Sequence, residues 1–146
     1  LPCQEHLVQV QARLDDIERL GGAVLTVNYD AAERIGDFAR DLGVTYELAS
    51  DPERRAYDAY GVRRASLFRL LHPAVVREYA RLIRAGRRPV RRRVFDDIWQ
   101  LGADFVIDPA GVVRYAHLSD GPEDRPPIED LLAALGAAAG QDRTAP

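Results

Sequence analysis

An α/β domain, with a mixed sheet flanked by helices, is the fold this sequence predicts, and three observations carry it. Apolar residues recur at helical spacing near both ends of the chain, at Leu7, Val10, Leu14 and Ile17 and again at Ile128, Leu131, Leu132 and Leu135. A short, wholly apolar run at residues 23–27 follows the first of these segments and reads as a parallel strand buried on both faces. A second apolar run at 105–107, the turn Asp108-Pro109-Ala110-Gly111, and a third run at 112–118 make a hairpin.

Taken in chain order, Pro2 suits the first turn of a helix that runs from beside Cys3 until Gly21 and Gly22 stop it. After the strand at 23–27, Asp30 is the expected cap of a second helix carrying Ile35, Phe38, Ala39 and Leu42 and closed by Gly43. Residues 45–48 form another short strand, and Asp51 with Pro52 opens a third helix through Tyr57 and Tyr60. Trp99, with Ile98 and Leu101, leads into the hairpin as core packing. The last helix starts after Pro126-Pro127, and residues 137–146 are expected to be a flexible tail. The strand at residue 23 calls for a parallel neighbour reached through the first helix by a right-handed crossover, expected upstream of Leu1.

With 146 residues, 47% hydrophobic and 29% charged, the chain has the balance of one globular domain, 1–146. No apolar run approaches the roughly 18–20 residues that span a bilayer, and the opening lacks a signal-peptide layout, so the expected location is cytoplasmic. One cysteine excludes an internal disulfide, and three scattered histidines do not match a metal site. No phosphate-binding glycine loop appears, and no bound cofactor is called for. Every basic residue is arginine, and their placement is uneven: the insertion at 62–93 holds eleven against a single acid, Glu78, a net of +10 that leaves −13 on the rest of a chain totalling −3. Within it Leu67, Phe68, Leu70, Leu71, Val75, Val76, Tyr79, Leu82 and Ile83 accompany the arginines in an amphipathic helical segment broken near Pro73. Such a stretch either lies on an anionic membrane surface or nucleic acid, or packs on the domain and pairs its arginines with acids, within the chain or across a homodimer. The negative total charge and few stacking aromatics favour packing, then the membrane, and speak against nucleic acid.

The opening Pro2-Cys3-Gln4-Glu5-His6-Leu7 resembles the active-site helix start of peroxiredoxin-like proteins of the AhpC/TSA group, and the stretch from Gln100 to Gly111, continued by Arg114-Tyr115-Ala116-His117, resembles that group's hairpin signature. The resemblance implies a thioredoxin-like mixed sheet, with the Arg-rich helical insertion set before the C-terminal hairpin. It also implies an antioxidant oxidoreductase whose redox-active cysteine begins the first helix, peroxide or disulfide substrates, and thioredoxin or glutathione as reductant. The Gly102-Ala103-Asp104 loop would then form the facing wall of the site. By the same resemblance the first cysteine of the group's CxxC pattern falls one residue before Leu1. Ala103 takes the place of the thioredoxin cis-proline, and Gly102 that of the arginine which assists peroxide in typical members.

The chemistry is expected at Cys3. A thiol at a helix amino terminus meets unsatisfied N–H groups and the positive end of the dipole, which favour thiolate over thiol. The plainer reading makes a lone cysteine a small buried hydrophobe, and position and neighbours favour the redox reading. The thiolate would attack a peroxide or a disulfide sulfur, and a second thiol from outside these residues must resolve the product. His6, three residues on, can share the helix face with Cys3 in a supporting role, although a solvent-facing histidine is the commoner case. Asp108 and His117 read as structural. The rival class is a redox-inactive thioredoxin-fold binding module that docks through the insertion.

Overall fold

The computed structural model describes residues 2–65, 73–86, 97, 99–121 and 123–142. The opening helical segment is divided: α1 spans Pro2–Ala12 and α2 spans Leu14–Arg19. Arg13 leaves helical geometry between them at φ −114°, ψ 14°, and its guanidinium reaches Asp16 and, at 2.9 Å, Glu129 near the other end of the chain. Strand β1, Leu25–Asn28, runs parallel to β2, Glu47–Ser50, in the register Leu25↔Glu47 to Asn28↔Ser50. Helix α3, Ala32–Leu42, makes the crossover and lies on β2. It stops where the sequence places its glycine, since Gly43 takes φ 69° and the N–H of Val44 returns to Ala39 O.

Helix α4 covers Arg55–Ala59, α5 Pro73–Arg84 and α6 Ile128–Asp142. Between α5 and α6 comes the hairpin of β3, Ala103–Ile107, and β4, Val113–Leu118, with a bulge beside Ile107. Asp108 organises its turn as expected, accepting from Val112 N at 2.9 Å and pairing with Arg114. The core gathers Val10, Ile17, Val44, Tyr46 and Ile128, with Leu7, Leu14, Val24, Leu48 and Leu135 packed around them. It thus joins α1, α2, β2 and α6 into one body. Helix α5 packs on α1 and buries Val75 and Leu82.

Four expectations need correction. Residues 23–27 do not form a strand covered on both faces: β1 has only β2 beside it among the described residues, and Leu25 is 58% exposed. The pleat turns Leu25 away from the core that its neighbour Val24 joins, so an apolar run marks what can be covered and not what is. Among the described residues the strands lie in two ladders, β1-β2 and β3-β4. Asp30 does not cap α3; Ala31 holds that position, while Asp30 donates its N–H to Asn28 and pairs with Arg34. Helix α4 begins at Arg55 and not at Pro52, yet Asp51 still satisfies its first donors, taking Arg55 N at 3.0 Å and Ala56 N at 2.8 Å. The flexible tail expected from residue 137 is instead helix to Asp142, with Ala138 buried, because the Ala137-Ala138-Ala139 run carries strong helix propensity.

Of the insertion at 62–93, residues 62–65 and 73–86 are described. Arg64 forms a bridge with Gln100, and Ala65 N donates to Trp99 O at 2.6 Å. Leu67, Phe68, Leu70, Leu71 and the insertion's arginines from 87 to 93 lie outside the described residues, as do Ile98 and residues 143–146 of the expected tail.

Candidate functional site

Cys3 sits half-buried in the first turn of α1, where Pro2, whose side chain lies outside the described residues, is the opening residue. Its thiol is met by a residue 122 positions away: Arg125 Nη2 donates to Cys3 Sγ at 3.1 Å. Arg125 lies between β4 and α6, and Pro126 after it biases its backbone toward extended geometry. The segment that delivers it is clasped on Asp124. That carboxylate holds His117 Nε2 at 3.0 Å and Asp120 N at 2.8 Å, and the Asp124 carbonyl accepts from Ser119 Oγ at 2.6 Å. Ser119 N in turn donates to Gly102 O at 3.1 Å, tying this segment to the residue before β3.

The guanidinium continues to Asp104 in β3, with Nη1 donating to Oδ2 at 3.2 Å. The other carboxylate oxygen of Asp104 accepts from His6 Nε2 at 2.9 Å. Cys3, Arg125, Asp104 and His6 thus form one chain of polar contacts between the start of α1 and the start of the hairpin. His6 is 5% exposed, and the Asp104 and Arg125 side chains are each 16% exposed. Gly102 makes room for this arrangement. A Cβ built there would overlap Arg125 Nη2 and stand 2.6 Å from Cζ.

Burial by itself would disfavour the charges of Asp104 and Arg125. It pushes Asp104 up, but the hydrogen bond from His6 and the positive guanidinium hold the carboxyl below its ordinary range. Burial likewise works against Arg125, and the neighbouring Cys3 and Asp104 outweigh it, so the guanidinium is held more firmly protonated than a free one. Tyr57 of α4 feels the charges of both Arg125 and Cys3. Burial pushes its phenol up to about 12, and the hydroxyl donates to Val27 O at 3.0 Å. Two polar atoms, Gln4 Oε1 of the residue after Cys3 and Arg125 Nε, are buried without a hydrogen-bond partner among the described residues.

A protonated guanidinium against sulfur favours the anionic form of that sulfur and can shield the negative charge that grows on a leaving oxygen or sulfur. Of the residues singled out in the sequence, Cys3, His6, Gly102 and Asp104 come together here. Ala103 opens β3 opposite Leu118 and is half-buried, placed between two members of the cluster without a polar contact to it among the described residues. Two expectations change. His6 is not solvent-facing: it is buried, and its ring meets Asp104, which links it to sulfur through the Arg125 guanidinium. The arginine absent from position 102 is answered by Arg125, which sequence reasoning missed. Its one signal was a lone base in the acidic stretch Asp120-Gly121-Pro122-Glu123-Asp124, fixed directly before two prolines. Among the described residues no group of three His, Cys, Asp or Glu side chains could hold a metal ion, and no helix is long and apolar enough to cross a membrane.

Two comparisons with known proteins fit this geometry. The AhpC/TSA family model matches residues 1–116. The chain is also similar to Peroxiredoxin-like 2C of Takifugu rubripes, at 24% identity over 99% of this chain and 68% of that protein. A family match over most of the chain, ending in the hairpin that holds Asp104, joins the two stretches that carried the resemblance: the chain belongs to the AhpC/TSA family, peroxiredoxin-like proteins of the thioredoxin fold.

Proposed function

We propose that this protein is a thiol-dependent oxidoreductase of the peroxiredoxin-like type that reduces peroxides or disulfides through Cys3. Family membership supports the reaction class, and the observation that carries the assignment to Cys3 is the hydrogen bond from Arg125 Nη2 to its sulfur. With a peroxide, the Cys3 thiolate attacks the nearer oxygen. The S–O bond forms as the O–O bond breaks, and the departing oxygen takes a proton and leaves as water or alcohol. A thiol from thioredoxin or glutathione then attacks the sulfenic sulfur and expels water. A second thiol breaks the resulting mixed disulfide and returns Cys3 to its thiolate. With a disulfide substrate the first attack gives the mixed disulfide directly, as the substrate S–S bond breaks and its other sulfur leaves as a thiolate that takes up a proton. The guanidinium shields the charge at each stage, and Asp104 with His6 holds the guanidinium in place. A reductant of this kind belongs to a reducing compartment, and the cytoplasm is the location that fits.

Consumption of hydrogen peroxide, and of a small disulfide, in the presence of excess glutathione or reduced thioredoxin tests this reading. Cys3→Ser should lower turnover to the rate without protein. Turnover that persists in a folded Cys3→Ser protein removes the thiol from the mechanism. The second reading, a redox-inactive module docking through the insertion on an anionic membrane surface or a protein partner, draws on α5, where Val76 and Ile83 are each 60% exposed beside Arg77 and Arg84.

A further inference from the structure

We propose that Gly102 and Asp124 are positioning residues: the open slot over Gly102 and the clasp on Asp124 together lodge the Arg125 guanidinium against Cys3 Sγ, so that thiol reactivity is set from the segment following β4. The proposal rests on the thiol chemistry assigned above, and it goes further by tying that chemistry to two residues that do not themselves contact sulfur.

Two independent observations meet at Arg125. The first is steric. The nearest atoms to a Cβ at position 102 would be Arg125 Nη2, Nη1 and Cζ, the last at 2.6 Å. Every one of them belongs to the far end of a flexible side chain and none to backbone. Adding a methyl group there would displace the guanidinium while leaving the main chain in place. The second is the clasp. Arg125 follows directly on Asp124, whose carboxylate is held on one oxygen by His117 of β4 and on the other by the N–H of Asp120. His117 stands opposite Asp104 in the hairpin register. The strand pair that presents Asp104 to one end of the guanidinium therefore also anchors the residue next to Arg125. Slot and clasp bear on opposite ends of the same side chain, and no separate contact from either to Cys3 is needed.

Alkylation of Cys3 by iodoacetamide tests this, because Cys3 is the sole cysteine of the chain. The rate at neutral pH is divided by the rate near about pH 10, where an ordinary thiol is ionised without help. That ratio reports stabilisation of the thiolate and cancels changes in access. Arg125→Met should lower the ratio about tenfold, as expected for loss of a charge-assisted hydrogen bond. Gly102→Ala and Asp124→Asn should lower it in the same direction, and each change combined with Arg125→Met should add nothing further, since both act through the guanidinium. Melting temperatures measured alongside separate this from unfolding, and if Gly102→Ala does not fold, Asp124→Asn decides by the same criterion. A ratio that falls with Arg125→Met but stays at the wild-type value in Gly102→Ala and Asp124→Asn overturns the positioning roles and leaves the site standing. Effects that add in the double variants also overturn them. A ratio unmoved by Arg125→Met overturns the role of the guanidinium altogether.

Discussion

Asp104 has two oxygens and two donors, and neither donor has another carboxylate in the cluster to turn to. His6 takes Oδ1 and Arg125 takes Oδ2. Removing the charge would leave a protonated guanidinium in a place where it is 16% exposed, and breaking a largely buried ion pair from one side costs about 3 kcal/mol. Asp104→Asn should therefore lower the free energy of unfolding by about that amount at neutral pH, measured by denaturant titration. The same pair sets a pH dependence whose sign follows from the depressed carboxyl. The folded protein holds Asp104 below its unfolded value of about 3.9. Its contribution is thus complete above that value and is lost as pH falls through the lower, folded one. Melting temperatures of the wild type should drop more steeply than those of Asp104→Asn as pH is lowered through and below about 4. Parallel curves would show that Asp104 titrates alike in both states.

At the scale of elements, what could be read from the sequence was whatever local chemistry determines. The stop of α3 at Gly43, the acceptance of the first α4 donors by Asp51, the Asp108 turn and the opening of α1 beside Cys3 each depend on residues within a few positions of one another. The break at Arg13 and the exposure of Leu25 were not legible, because both depend on which distant elements lie alongside. The site divides in the same way. Cys3 could be picked out by its position at a helix start, and Gly102 and Asp104 by the hairpin motif. Arg125 could not, since a contact across 122 positions leaves no periodic or spacing signal. The burial of His6, whose ring meets Asp104 from 98 positions away, is likewise not set locally. Helix α5 gives this scale its prediction. Leu82 is 2% exposed on a helix packed against α1, so Leu82→Ala should cost about 2–5 kcal/mol of stability by the usual measure of a buried leucine truncated in place. A loss within about 0.5 kcal/mol, the range of ordinary surface substitutions, would mean that α5 is dispensable to the fold.

For the molecule as a whole, the separation of charge is the main unassigned property: +10 on residues 62–93 and −13 elsewhere. Surface attraction to an anionic bilayer needs arginines that are exposed and free of acids. Arg64 is paired with Asp97 at 2.9 Å, and Arg81 with Glu78 at 2.7 Å, which lowers Glu78 and removes two of the bases from outside service. Arg54 of the main body shares the same Asp97 while covering the Tyr29 ring, so part of the insertion is stitched to the domain. Exposed charges also lose reach beyond the Debye length of about 8 Å at physiological ionic strength. On α5, Arg77 and Arg84 stand beside the exposed Val76 and Ile83, and Arg63 is a further exposed arginine of the insertion among the described residues. A few basic side chains, at about 1 kcal/mol each near an anionic surface, make a weak anchor. Cosedimentation with phosphatidylserine-rich vesicles should therefore recover little protein at physiological salt and only modestly more at low salt. Replacing Arg77 and Arg84 with glutamine should reduce the low-salt increment without lowering thiol-dependent turnover. Strong binding that survives moderate salt, together with turnover that Cys3→Ser leaves untouched, would reverse the order of the two functional readings and make the insertion the working surface of the molecule.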